Sequence, residues 1–376
     1  MIVGNINTKD ISVVVQGAIN EEYTPNCLKT IRKHLPDSEI ILSTWEGPNI
    51  DGLDYDIIIF NQKIENNLIH NEILNIINNS NRQIISTQNG IKKASKKYIL
   101  KLRTDSLLLN NNFLEYFYEF PNRNNKYIGF KNRIIVPSVY SREYSNDIKL
   151  CLPFHTSDFY FFGLADDIKD YILNTELLKD NELSGFYLKY NNLAPSKNFK
   201  WKYPTEQHIC AYWVQKRFNN ILFMDWSDIT YKSYKESLNI LYNNFIFLDL
   251  EQSGITNPKH SWAFENSDKI YGLITYERFL QRYDELCSNN QDKEENNYDE
   301  QAFYMNNIIG YIDFQTNNIH NNINNQMNNI INNYLINNRK NIFNILGDFL
   351  FSIESLQDKK IITLFGFKIT IKKVKK

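Results

Sequence analysis

Residues 82–108, RQIISTQNGIKKASKKYILKLRTDSLL, decide the fold. The first part, with its lysine-rich end, reads as the close of a helix spanning roughly residues 81–96. YILKL is a short apolar run of the kind that forms a strand buried on both faces. Asp105 then stands alone just past the strand's C-terminal end. In an open α/β sheet ligands bind at that edge, because the loops there can be polar while the sheet stays apolar.

The same pattern repeats towards the N-terminus. ISVVV (residues 11–15) is β-branched and apolar, and Gln16-Gly17 breaks it. Residues 24–35 carry Leu28, Ile31 and Leu35 at helical spacing, with Pro25 in the first turn. EIILS (39–43) and IIIF (57–60) are further strands. Strands alternating with helices predict a mostly parallel sheet with right-handed crossovers, an α/β Rossmann-like fold.

Beyond residue 125 the pattern loosens. Short strands are expected at 127–130, 159–162 and 221–223, and a helix at 206–218 on the stripe Ile209, Tyr212, Trp213 and Phe218. This half reads as an elaboration on the first sheet: a nucleotide-binding half over about 1–120 and an acceptor half over about 121–288. SNNQDKEENN has no apolar anchor and predicts a linker at 289–300. Residues 301–376 read as a helical extension. Its sparse apolar stripe in an Asn-rich background can dock on the body or self-associate. The tail, KKIITLFGFKITIKKVKK, alternates apolar residues with lysines. It fits either a basic amphipathic element at an anionic membrane or a terminal β-hairpin.

With 376 residues and 42% apolar content the chain is long enough for a substantial core. A net charge of −1 excludes a global attraction to nucleic acid. The four cysteines are scattered and form no CxxC pair, which argues against a zinc or disulfide framework. MIVGNINTKD is too polar for a secretory signal and no run of about 18 apolar residues occurs, so a cytoplasmic setting is expected.

Several residues carry candidate chemistry. Gln16 and Gly17 end the first strand, where a base or ribose can approach the backbone. Trp45 and Glu46 follow the second strand; the tryptophan can stack on a base and the acid can meet a ribose hydroxyl. Asn89 lies on the helix before the decisive strand and is grouped with them. Lys101, Arg103 and Asp105 alternate, which places them on one side of an extended strand. Two cations beside one acid can neutralise a diphosphate, and Asp105 can ligate Mg²⁺ or Mn²⁺. Arg103 occupies the position a second metal-binding acid would need, so it can also stand in for the metal's charge. His155 and Asp158 precede the aromatic run FYFFG, and Glu206 opens a helix. These are the candidate acid–base groups on the acceptor side, with His155 expected to titrate near neutral pH. His260 is a further candidate for a phosphate or acceptor.

The blocks ISVVVQGAI, CLKTIRKHLPDSEIILSTWEG, RQIISTQNGIKKASKKYILKLRTDSLL, LPFHTSDFYFFGL and PTEQHI resemble, in that order, the WavE-type lipopolysaccharide synthesis proteins of bacteria, over roughly residues 11–262. STWEG and LRTD are the specific blocks. That family is similar to GT-A glycosyltransferases. The resemblance implies a GT-A-like sheet and sugar transfer from a nucleotide-activated donor to a saccharide or lipid-linked saccharide during lipopolysaccharide or capsule assembly. By that analogy Asp105 matches the metal or donor acid, and Glu206 or Asp158 the acceptor-side base. The expected setting is the cytoplasmic face of the inner membrane, with peripheral contact to anionic lipid and a possible homo-oligomer. Other readings stay open: a sugar nucleotidyltransferase, a transferase adding a phosphorus-containing decoration to capsule, or a non-catalytic assembly protein.

Overall fold

The structure is a computed structural model. It describes residues 2–3, 6–62, 64, 67–71, 74–146, 150–179, 182, 202–219, 230–287, 300–301, 303–310, 312, 316, 323–330, 351–355, 359–364 and 367–372. The chain divides into two compact units, Met1–Tyr311 and Ile312–Lys376.

The first unit is built on strand β1 (Ile11–Gln16), whose six residues are all buried. A strand with no solvent face needs apolar, β-branched side chains on both sides, and ISVVVQ supplies them. β2 (Glu39–Trp45) and β4 (Tyr98–Arg103) pair with β1 in parallel on either side, and β3 (Ile57–Asn61) extends the sheet beyond β2. Three strands of the second half continue the sheet past β4. They are β5 (Ile134–Pro137), β7 (Phe161–Leu164) and β8 (Phe245–Leu248). The order is β8-β5-β7-β4-β1-β2-β3, and β7 alone runs antiparallel to its neighbours. A seven-stranded, mostly parallel sheet flanked by helices is the expected α/β architecture, and the elaboration predicted for the second half is part of the same sheet.

Helix α1 (Tyr23–His34) buries Cys27, Leu28 and Ile31 on one stripe and closes on Arg32, Lys33 and His34, cations that favour a helix C-terminus. Helix α2 (Ser80–Lys93) lies against β1 and β2, and Gly90 sets how close it comes. A Cβ there would stand 2.3 Å from Cγ1 of Val14. Helices α3 (Ala165–Leu173), α4 (Thr205–Arg217), α5 (Tyr231–Asn244) and α6 (Tyr276–Leu286) complete the layers.

Two expectations change. The strand predicted at 127–130 is a 3₁₀ turn at Asn125–Tyr127 followed by irregular chain. The backbone N–H groups of Gly129 and Phe130 donate to Oδ1 of Asn244 (2.7 and 3.2 Å) instead of to a strand, and the Phe130 ring stacks on Trp213. The strand predicted at 159–162 begins two residues later, because Phe159 still belongs to the turn that carries Asp158. The strand predicted at 221–223, and the linker apart from Glu300, lie outside the described residues.

In the second unit residues 323–330 are helical. The tail is not a helix. Phe351–Ser355, Lys359–Leu364 and Phe367–Lys372 form a three-stranded antiparallel sheet. Pairing of Ile362 with Ile369 and Lys360 with Ile371 gives the last two strands the hairpin reading of the basic tail.

Candidate active site

Parallel pairing aligns Gln16 with Ser43 and with Arg103, so the C-terminal ends of β1, β2 and β4 meet at one sheet edge. The chain leaves β1 through Gly17 at φ +130°, a conformation that side chains with a Cβ rarely adopt. Thr104 fills the space beside it. A Cβ on Gly17 would meet the Thr104 Oγ1 at 2.9 Å, and that hydroxyl donates to the Ala18 carbonyl (2.8 Å). The two loops are therefore locked together at the mouth of the sheet.

Gln16 and Asn89 have structural partners. Asn89 Nδ2 donates to Asn61 Oδ1 (2.8 Å), and Asn61 Nδ2 donates to Ser43 Oγ (3.0 Å). Ser43 donates to the Ser86 carbonyl, and Ser86 Oγ donates to Gln16 Oε1 (2.7 Å). This relay ties α2 to three strands. Trp45 is half-buried and Glu46 exposed at the same edge, on the far side of β1 from Arg103.

Asp105 is the centre of the edge. Its side chain is buried, and both oxygens are engaged. Arg103 donates through Nε to Oδ1 (3.0 Å) and through Nη2 to Oδ2 (3.1 Å). Asn257 Nδ2 donates to Oδ1 (2.8 Å), and Lys259 Nζ lies 3.1 Å from Oδ2. Burial pushes the Asp105 carboxyl up, but Arg103 and Lys259 outweigh it and hold the group at about 2. The carboxylate is ionised at any physiological pH. Asn257 caps a 3₁₀ turn, accepting from the Lys259 N–H (3.0 Å), which aims the lysine at the acid. Phe159 lies under Arg103, with the guanidinium 4.6 Å from its ring centre.

The expected partnership of Lys101 with this pair changes. Lys101 is fully buried on β4, and its ammonium donates to the Asp158 carbonyl oxygen. Burial lowers it to about 8. It braces the Asp158 turn instead of joining Arg103 and Asp105.

Asp158 is buried and accepts from Gln83 Nε2 of α2. Glu206, in the first turn of α4, retains some water-accessible surface although protein closely surrounds its carboxyl. Burial first, and then repulsion from Asp158, raise Glu206 to about 7, against the pull of Arg142 and Arg103. The two carboxyls predicted for the acceptor side are thus brought together.

His155 joins them in space but not in the expected protonation state. Burial, reinforced by Arg142, lowers it to about 3, so the ring is neutral at pH 7. It ends strand β6 (Cys151–His155), which pairs with Arg142–Tyr144 and sets Arg142 directly opposite His155.

Tyr140, Arg142, Asn257 and Lys259 were not singled out by sequence. Tyr140 stacks on Phe159 (ring centres 5.3 Å apart), and its hydroxyl lies 3.2 Å from Nδ1 of His260. Its φ is +65°, and Phe154, one residue before His155, has φ +56°. Non-glycine residues in this region cost about 1–3 kcal/mol each and cluster at functional sites. An Asn-Pro turn ahead of Lys259 was the one available sequence signal; Tyr140 and Arg142 carried none.

The residues do not suit a divalent metal. Asp105 is the single acid of its turn, Arg103 holds the place of a second, and both Asp105 oxygens already face cations. Among the described residues no three His, Cys, Asp or Glu side chains group as a metal would need. All four cysteines are buried and free, so none offers a disulfide.

Among the described residues no helix is long and apolar enough to cross a membrane. No curated protein matches the chain. The family model described as WavE lipopolysaccharide synthesis matches residues 11–314, which hold the whole sheet, the Arg103–Asp105 turn and the Asp158–Glu206 pair. The chain belongs to the WavE lipopolysaccharide synthesis family.

Proposed function

We propose that this protein is a glycosyltransferase that moves a sugar from a nucleotide-activated donor to a growing lipopolysaccharide or capsular saccharide. One observation carries the reading. An acid with a near-neutral proton affinity, Glu206, lies within electrostatic reach of Arg103, which with Lys259 forms a partly solvent-exposed pair of cations at the sheet edge.

Sugar transfer makes two demands. The acceptor hydroxyl must lose its proton as it attacks, and the leaving phosphate must gain negative charge without penalty. Glu206, ionised, takes the hydroxyl proton. The acceptor oxygen forms the new bond to the anomeric carbon. The bond from that carbon to the donor phosphate breaks, and its electron pair stays on the phosphate oxygen, which Arg103 and Lys259 face. Asp158 tunes Glu206 by repulsion, and neutral His155 with Arg142 fixes the wall behind it. Trp262, 62% exposed and two residues from His260, offers a flat apolar face for an acceptor sugar.

Family membership supports placing the reaction in lipopolysaccharide synthesis. Work at the cytoplasmic face of the inner membrane, with the lysine-rich hairpin against anionic lipid, belongs to the same proposal, as does assembly into homo-oligomers. The test is nucleotide release from UDP-, GDP-, CMP- and CDP-linked sugars in the presence of lipid-linked saccharide acceptors. Acceptor-dependent release is expected with one donor class, and it should fall by about 10²-fold or more in Glu206→Gln. No acceptor-dependent release from any donor would end the proposal.

A further inference from the structure

We infer that Arg103 and Lys259 bind the phosphates of the donor directly, in place of a divalent cation, with Asp105 serving as the buried counter-ion that holds both side chains at the turn. The inference rests on the glycosyl-transfer reading and specifies how that site meets its anion.

Orientation of charge is the main support. A metal-binding acid must present its oxygens to an incoming ion. Here the acid faces inwards, with 6% of its side-chain surface accessible, while Arg103 keeps 29% and Lys259 45%. Solvent therefore meets the two cations before it meets the carboxylate. Such a surface attracts a phosphate and repels a dication.

Donor capacity agrees. A guanidinium has five N–H donors and Asp105 takes two of them from Arg103, through Nε and Nη2. An ammonium has three and Asp105 takes one from Lys259. The remainder can serve phosphate oxygens, for which a planar guanidinium is well shaped. Both cations are also fixed in advance. Phe159 supports the Arg103 plane, Lys259 lies 5.2 Å from the ring centre of Tyr23, and Asn257 bonds both Asp105 and the Lys259 backbone. Preorganised charge of this kind needs little rearrangement when a leaving group develops its negative charge. Two cations against one carboxylate leave the turn with a net charge of +1, which attracts the anionic phosphates of a donor.

The experiment is calorimetric titration of the full chain with UDP, GDP, CMP and CDP, each in excess EDTA and again with Mn²⁺. At least one nucleotide should bind in EDTA with an affinity within about twofold of that in Mn²⁺. Lys259→Met and Arg103→Met should each weaken binding by about tenfold or more, the loss of one charge-assisted phosphate contact. Lys259 is the more exposed of the two, so Lys259→Met keeps the test valid if Arg103→Met fails to fold. Binding seen only with Mn²⁺, or undiminished in Lys259→Met, overturns the metal-free assignment and leaves the transfer reading standing. Failure of every nucleotide to bind in either condition removes the transfer reading, and this inference with it.

Discussion

Lys259 places its ammonium 3.1 Å from Oδ2 of Asp105, although one residue follows the fourth strand of the sheet and the other lies in a turn beyond the last. The contact ties the two turns together and sets two cations against one acid. Several consequences can be measured.

Asp105→Asn removes the counter-ion of two partly buried cations. Loss of one partner from a buried ion pair costs about 3 kcal/mol, more than a surface pair would. The folded-state carboxyl is held below its ordinary value of 3.8, at about 2. Its contribution is therefore complete above the unfolded value and is lost as pH falls towards about 2. Urea denaturation should show the variant markedly weaker at pH 7 and the gap narrowing below about pH 4. A gap independent of pH would contradict the assigned ion pair.

Glu206→Gln should reduce acceptor-dependent turnover by about 10²-fold or more, the usual worth of a general base. In the unmodified protein the rate should rise with pH through about 7, where Glu206 ionises. Stability runs the other way. A raised acid stabilises the fold below its unfolded value, near 4.5, and that contribution is lost as pH rises through about 7. At pH 8 the glutamine variant should thus be the more stable protein, by on the order of 2 kcal/mol. Equal thermal midpoints at pH 8 would show that the Glu206 carboxyl is not desolvated by surrounding protein.

Gly17→Ala forces a Cβ into φ +130° and to 2.9 Å from Thr104 Oγ1. A loss of about 2 kcal/mol or more is expected. Adding Thr104→Ser removes the methyl group but leaves both the contacting hydroxyl and the backbone strain, so it should restore little. Full rescue by the double variant would mean that crowding by the methyl alone makes this position a glycine.

Trp262→Ala should raise the KM for the acceptor by about tenfold with kcat little changed, the signature of lost uniform binding. The side chain is exposed, so the melting temperature should hardly move. A reduced kcat at unchanged KM would place the acceptor elsewhere.

Much of the first half was legible because periodicity is local. ISVVV, EIILS, IIIF and YILKL each declare a buried strand within a few residues, and the Leu28–Ile31 stripe declares its helix. β5 and β8 escaped notice. IIVP and FIFL are four-residue apolar runs, and at that length a strand and a buried helical turn look alike. Asp158 and Glu206 were readable as candidate carboxyls from their aromatic and helix-start surroundings. The neutrality of His155 was not, since burial and a facing arginine are properties of a neighbourhood and not of a residue type.

By itself, then, the sequence determined the alternation of strands and helices, the sheet edge at which Asp105 stands, and the family. Only the tertiary structure decided what Asp105 faces. Strand and helix formation depend on side-chain spacing over a few residues, whereas an ion pair between remote turns exists only once packing has set the distance between them. Packing made Lys259 a partner of Asp105, turned Lys101 inwards to the Asp158 carbonyl, and buried Glu206 beside Asp158 so that it keeps its proton to about pH 7.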